Sequence, residues 1–372
     1  MILIILYEVI LCTVVNAFVN KKKITLTDVA GRTIVLHIPV QRIILGDGTF
    51  AYTLALLKPD HPFSKVIAWG DNFRFADLAG YMQYQEKFPE ISEIKTFSGK
   101  SQDAINSELA ISLNPDIVIL GLSSLTVAQS SNFLDKMQMA GIPIVFIDFR
   151  AKMFANTANS IRIMGKILGC DKRAQNFLDF RQQQIEQVTK PLKHIHKRPI
   201  VMVERAAGFY KTCCLSYGNN NFGELVALAG GENLGTKFLH EVFGKLHPEQ
   251  VIASNPEAVL LTGADWSLYN CNGAWINLGP GTNLNESRSR LENLMKRPAY
   301  KSLEAVKRGK VYAIWHAFYD NPSSFIALQQ IAKWLHPEIF SSLNPEKTFQ
   351  ELHRRFLPIP YKPGYWLSLE SK

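Results

Sequence analysis

The chain carries only five cysteines in 372 residues, too few and too scattered for a disulfide scaffold. Adjacent Cys213-Cys214 belongs to no CxxC and has no second pair at metal-ligand spacing, so it reads as two buried or strand-borne thiols. Acidic residues are the minority: 32 Asp and Glu against 41 Lys and Arg leave a net charge of +9. That surplus suits an anionic partner. The basic residues cluster only at Lys21-Lys22-Lys23 and His194-Ile195-His196-Lys197-Arg198, which argues against a nucleic-acid groove. No coiled coil or low-complexity segment occurs, and 47% hydrophobic with 20% charged residues excludes disorder and fibrous repeats.

Catalytic signatures are missing as well. There is no GxSxG elbow and no HExxH, and Gly230-Gly-Glu-Asn-Leu-Gly-Thr-Lys237 imitates a P-loop with Thr236 where Lys must follow Gly. The nine histidines show no ligand spacing. The expectation is no catalytic residue, no metal site and no cofactor, with Asp71, Glu204, Asp265 and His316 as the acid/base candidates an enzyme would have to use.

Long apolar runs are confined to the start. Residues 1–20 are apolar through Ala17 and end at Lys21-Lys22-Lys23, and Val15-Asn16-Ala17 fits a small-residue cleavage site. This predicts a signal peptide and an exported protein, with an N-terminal anchor as the alternative. Glu8 interrupts the run, and Leu11 before Cys12 is too large for a good lipidation site.

Beyond it, short apolar runs alternate with turn residues and helix-period stretches, the pattern of α/β layers. Strands are expected at Arg42 to Leu45, Lys65 to Trp69, Asp116 to Leu120 and Ile144 to Ile147. A second series runs Ile200 to Val203, Ala258 to Leu261 and Val311 to Trp315. An internal echo relates the halves: Glu108 precedes Asn114-Pro115-Asp116 by the spacing at which Glu249 precedes Asn255-Pro256-Glu257. In each copy a helix carries Glu in its first turn, Pro stops it, and an apolar run enters a sheet. Between the halves Gly169 caps one helix and Asp171 starts another, Lys172 to Lys190, whose apolar positions Phe177, Leu178, Ile185 and Val188 stand on a polar background. It reads as a solvent-bathed strut. The expected organisation is an N-terminal lobe at 24–169, a connecting helix at 171–192, and a C-terminal lobe with its tail at 198–372.

Ligands of such folds bind outside the carboxyl ends of the strands. The residues just past each apolar run are Thr49, Trp69, Arg74, Ser123 and Arg150 in the first half. In the second they are Arg205, Tyr210, Tyr217, Trp266, Tyr269, His316 and Tyr319. Arg and Tyr can hold anionic oxygens while the rings cover flat groups, so this set predicts a large, ring-bearing anion.

Several segments in order resemble one family: Thr27-Asp28-Val29-Ala30-Gly31-Arg32, Pro39-Val40-Gln41-Arg42-Ile43-Ile44, Asn114-Pro115-Asp116-Ile117-Val118-Ile119, Ala229-Gly230-Gly231-Glu232-Asn233-Leu234, Pro256-Glu257-Ala258-Val259-Leu260, and Ala305-Val306-Lys307-Arg308-Gly309-Lys310-Val311-Tyr312. Together they are similar to the periplasmic substrate-binding proteins of ABC importers for ferric siderophores, haem and cobalamin. The resemblance implies two Rossmann-like α/β lobes joined by a single long backbone helix, a ligand cleft between them, and little lobe movement. It further implies a monomer whose partners are a transmembrane permease and a metal-chelate ligand, with Glu108 and Glu249 docking on the permease. Ferric siderophore is the first expectation for the ligand, haem and cobalamin the next. A sensor-type binding domain and a secreted enzyme are the readings outside the importer class. Gly46-Asp47-Gly48-Thr49 and the stretch from Asn270 to Arg290 depart from the family's usual cleft.

Overall fold

The computed structural model describes residues 21–98, 105–269 and 272–369, so the signal-peptide expectation at 1–20 lies outside the described residues. The chain opens with an antiparallel hairpin, β1 (Lys22–Thr27) and β2 (Thr33–Ile38). Asp28 in its turn is buried. One carboxylate oxygen accepts from the Ala30 and Arg32 amides, and the other accepts from the Arg32 guanidinium and from the amide of Phe146 at 3.1 Å. Arg32 also donates to the Ile144 carbonyl at 2.6 Å, which ties the turn to a sheet edge.

The first sheet comprises β3 (Ile43–Leu45), β4 (Val66–Gly70), β5 (Lys95–Ser98), β6 (Ile117–Gly121) and β7 (Ile144–Ile147). Its order is β5-β4-β3-β6-β7, with every pairing parallel. Continuous aliphatic runs suit a sheet covered on both faces by helices. The order reverses beside β3, so the turns after β3 and β6 part there and open a crevice. Gly48 is required in that turn, because a Cβ would lie 2.1 Å from the Gly70 carbonyl oxygen.

The second half supplies β8 (Ile200–Glu204), β9 (Leu215–Tyr217), β10 (Glu232–Asn233), β11 (Phe243–Lys245), β12 (Ala258–Gly263), β13 (Val311–Trp315) and β14 (Trp366–Ser368). One sheet has the order β10-β8-β12-β13-β14, parallel except for the antiparallel last strand, and β9 pairs with β11 beside it. Two α/β lobes joined by one long helix are thus the observed architecture.

That helix, Asp171–Thr189, corrects the solvent-bathed reading. Besides the four apolar positions noted above, Phe180, Arg181 and Gln184 are buried. Phe180 lies 5.9 Å from Phe325 and 5.6 Å from Phe356, and Arg173 donates to the carbonyls of Leu56 and Phe356. The helix is cemented to both lobes. The tail packs on the second lobe, where β14 joins the sheet and Tyr365 meets Trp315, and it also reaches the first: Gln83 and Lys87 donate to the carbonyls of Pro360 and Pro358 at 2.7 and 2.5 Å.

Candidate functional site

The strand ends of the two lobes face one another across a cleft of about 260 Å³. Of the residues singled out from sequence, Arg205, Tyr210, Trp266, Tyr269, His316 and Tyr319 line it, joined by Phe209, Ala206 and Ala76. Phe209 is the hub: its ring lies 5.1 Å from Tyr210, 5.5 Å from Trp266 and 5.7 Å from Tyr269. Tyr269 reaches Phe75 of the first lobe at 5.2 Å, and the Trp266 indole donates to the Ala76 carbonyl at 3.1 Å. The cleft is therefore walled by rings and bridged at one end.

Its one permanent charge is Arg205, whose guanidinium lies 4.6 Å over the Phe243 ring. No carboxylate among the described residues pairs with it. His316 is buried, with Nδ1 2.8 Å from the Thr262 hydroxyl. Burial, helped by the positive fields of Arg205 and Arg150, pushes the imidazole well below its usual range, so it stands neutral. A cleft of neutral rings and one uncompensated cation favours a ring-bearing anion.

The other expected lining residues lie elsewhere. Trp69 belongs to the core of the first lobe, edge-on to Phe63 and Phe73 at 5.8 and 6.0 Å. Tyr217 is buried against Phe222 at 5.6 Å. Thr49 is buried under Asp47, to which its amide and hydroxyl both donate. Arg150 closes the floor between the lobes: it donates to the Tyr319 hydroxyl at 2.7 Å and to Asp320 at 2.8 Å. Desolvation, with Asp47 and Asp148 nearby, pushes the Asp320 carboxyl up against the pull of Arg150. Arg74 stands exposed near the rim, paired with Asp71 at 2.8 Å, and Ser123 is exposed past the end of β6.

The acid/base candidates form no catalytic constellation. Glu204 is buried in an ion pair with Arg297 and accepts from the Tyr300 hydroxyl at 2.6 Å, Asp71 is held by Arg74, and Asp265 accepts from the Ser267 amide. Phe209 was missed although its neighbour Tyr210, one residue further from β8, was singled out, because a Phe with no polar group reads from sequence as core. Only its Phe-Tyr neighbour pair could have flagged it.

The echoed helices are Ser107–Ser112 and Pro248–Ser254. Each is followed by a left-handed Asn, Asn114 at φ 43° and Asn255 at φ 41°, then Pro and a parallel strand. Because each helix descends toward the start of the next strand, its first turn stands at the carboxyl end of its sheet, on the cleft side. Glu108 and Glu249 occupy those turns and are exposed, the Glu249 side chain 87% so.

Two α/β lobes on a rigid connecting helix, with the cleft at their facing strand ends, define a solute-binding protein rather than an enzyme. The chain belongs to the periplasmic binding protein family, whose profile matches residues 74–316, and it is a substrate-binding protein of an ABC transporter. It is 20% identical over 254 residues to the ABC transporter substrate-binding lipoprotein YvrC of Bacillus subtilis (strain 168), covering 67% of this chain and 70% of that one. Its fold matches that of the TroA-like periplasmic binding protein FepB from Veillonella parvula, with TM-score 0.84 at 24% identity over 93% of this chain and 100% of that one. It also matches the Haemophilus influenzae molybdate periplasmic binding protein MolA, with TM-score 0.69 at 15% identity over 91% and 99% of the two chains. The family works outside the cytoplasmic membrane with a transmembrane permease. No described helix here is long and apolar enough to cross a membrane.

Proposed function

We propose that the cleft captures an anionic ferric-siderophore complex in the periplasm and presents it to the permease through Glu108 and Glu249. The supporting observation is Arg205, a cation without a carboxylate partner facing a cleft otherwise walled by aromatic rings. Tyr210, Trp266 and Tyr269 would cover the chelator's rings while Arg205 meets its oxygens. The iron needs no protein ligand, and among the described residues no His/Cys/Asp/Glu cluster could hold a metal ion.

The test is quenching of tryptophan fluorescence, since Trp266 lines the cleft and Trp275 packs 6.3 Å from it. The protein is titrated with ferric catecholate, hydroxamate and carboxylate siderophores, haemin, cobalamin and molybdate. Saturable quenching by one ferric class, weaker with the iron-free chelator, is the expected result. Silence with all three ferric classes overturns it, and a response to haemin, cobalamin or molybdate names the replacement.

A further inference from the structure

Cys213 and Cys214, read above as thiols, are bonded to each other. A disulfide between sequence neighbours closes a ring through a single peptide unit, so it cross-links no distant parts and acts only on local backbone. Its place is informative. The segment 205–215 leaves β8, lines the cleft with Arg205, Ala206, Phe209 and Tyr210, and returns as β9. Its base is pinned: the Arg205 amide donates to the Leu215 carbonyl at 2.7 Å, and the amides of Ala206 and Ala207 donate to the Thr262 hydroxyl and carbonyl. Residues 210–212 are exposed.

Two residues hold this loop in backbone conformations that side chains disfavour, Ala206 at φ 48° and Cys214 at φ 83°. Such conformations persist only where the surroundings impose them. Ala206 is held by Thr262. Cys214 is held by the Leu246 amide on its carbonyl at 2.9 Å and by the ring of its own disulfide.

We infer that the Cys213–Cys214 disulfide is a redox-sensitive clasp that keeps Phe209 and Tyr210 in the cleft wall, so that reduction lowers ligand affinity. Cys213 is partly exposed and Cys214 buried. A dithiol reductant therefore attacks the Cys213 sulfur as thiolate, forming a mixed disulfide and releasing Cys214 as thiolate. The reductant's second thiol then displaces Cys213. Two electrons and two protons pass to the protein, and the reductant leaves as its own disulfide. With the ring open, Cys214 relaxes toward negative φ and the loop loses its fixed path. This deepens the cleft assignment above and rests on it for the identity of the ligand only.

The test has two arms on the full chain. In the first, alkylation and peptide mapping find Cys213 and Cys214 unlabelled until dithiothreitol is added, and hydrogen exchange then accelerates at 205–215. Labelling without reductant, or unchanged exchange after reduction, overturns the clasp. In the second, a ferric tricatecholate titrates wild type and the Cys213→Ser/Cys214→Ser variant, which avoids reductant near ferric iron. A roughly ten-fold or larger loss of affinity, with matching far-UV circular dichroism, is expected; equal affinity overturns the link to the cleft. If wild type ignores the tricatecholate, the same comparison is made with a ferric hydroxamate and a ferric carboxylate siderophore; silence with all three while exchange still responds fails the siderophore reading and leaves the clasp standing.

Discussion

Asp77 is a carboxyl sealed between the lobes with no cationic partner among the described residues. It accepts from the Tyr52 hydroxyl, from the Gly80 amide at 3.3 Å and from the Trp315 indole at 3.2 Å. Desolvation outweighs these donors and pushes its pKa up to about 6. A raised acid favours the folded state while protonated, so that contribution is full below about pH 4 and is lost as pH rises through about 6. Asp77→Asn should flatten this slope, and the difference between variant and wild type from pH 4 to pH 8 should be on the order of 2–3 kcal/mol in denaturant melts. Parallel pH profiles would show that the carboxyl is ionised throughout. Arg205 yields the second prediction at this scale. Arg205→Gln removes the cleft's uncompensated charge, so affinity for the anionic ligand should fall about 10- to 100-fold at unchanged melting temperature, as a charge-assisted hydrogen bond is worth roughly 1.5–3 kcal/mol. Residue identity alone does not show which strand-end aromatics face the cleft. Trp69 and Trp266 carry the same local signal, yet one turns into a core already lined by Phe63 and Phe73 while the other meets the opposite lobe.

Elements were legible wherever burial leaves a one-dimensional trace. The strands β3, β4, β6, β7, β8, β12 and β13 are aliphatic runs because helices cover both faces of their sheets, and Gly169 ends its helix in the left-handed region as expected at φ 65°. The missing strands are short or lie at edges, where pairing rather than hydrophobicity defines them: β10 has two residues, β9, β11 and β14 three each and the edge strand β5 four, while β1 and β2 pair only with each other. The connecting helix was misjudged because aromatic and amphipathic side chains such as Phe180, Arg181 and Gln184 pack beneath polar neighbours. The repeated helix–Asn–Pro–strand unit permits a sharp test. Asn114→Gly and Asn255→Gly should be nearly neutral, whereas Val at either position should cost about 1–2 kcal/mol, because a branched side chain resists positive φ. Equal stability of the Gly and Val variants in urea melts would contradict that geometry.

At the scale of the whole molecule, several bonds cross from one lobe to the other. Arg150 to Asp320, Trp266 to Ala76, Trp315 to Asp77 and the 358–362 crossing all join the two halves. Arg150→Met strands Asp320 in a buried setting and should destabilise the protein by about 3 kcal/mol, read as a shift in urea midpoint. Glu108→Ala with Glu249→Ala touches none of these bonds, so ligand affinity and melting temperature should hold while uptake in cells drops at least ten-fold. Unaltered uptake would refute permease docking by this pair. Neither the lobe-to-lobe bonds nor the cleft's partition between core and wall was readable from sequence, since each depends on residues far apart in the chain.

The tail carries a consequence for how the protein is made. Residues 358–362 brace the first lobe and β14 closes the edge of the second sheet, and both follow the other elements of the two lobes along the chain. Lobes can form in order of synthesis. A chain made only as far as residue 357 lacks these braces, so its lobes rest on the connecting helix and the cleft bonds alone to hold their alignment.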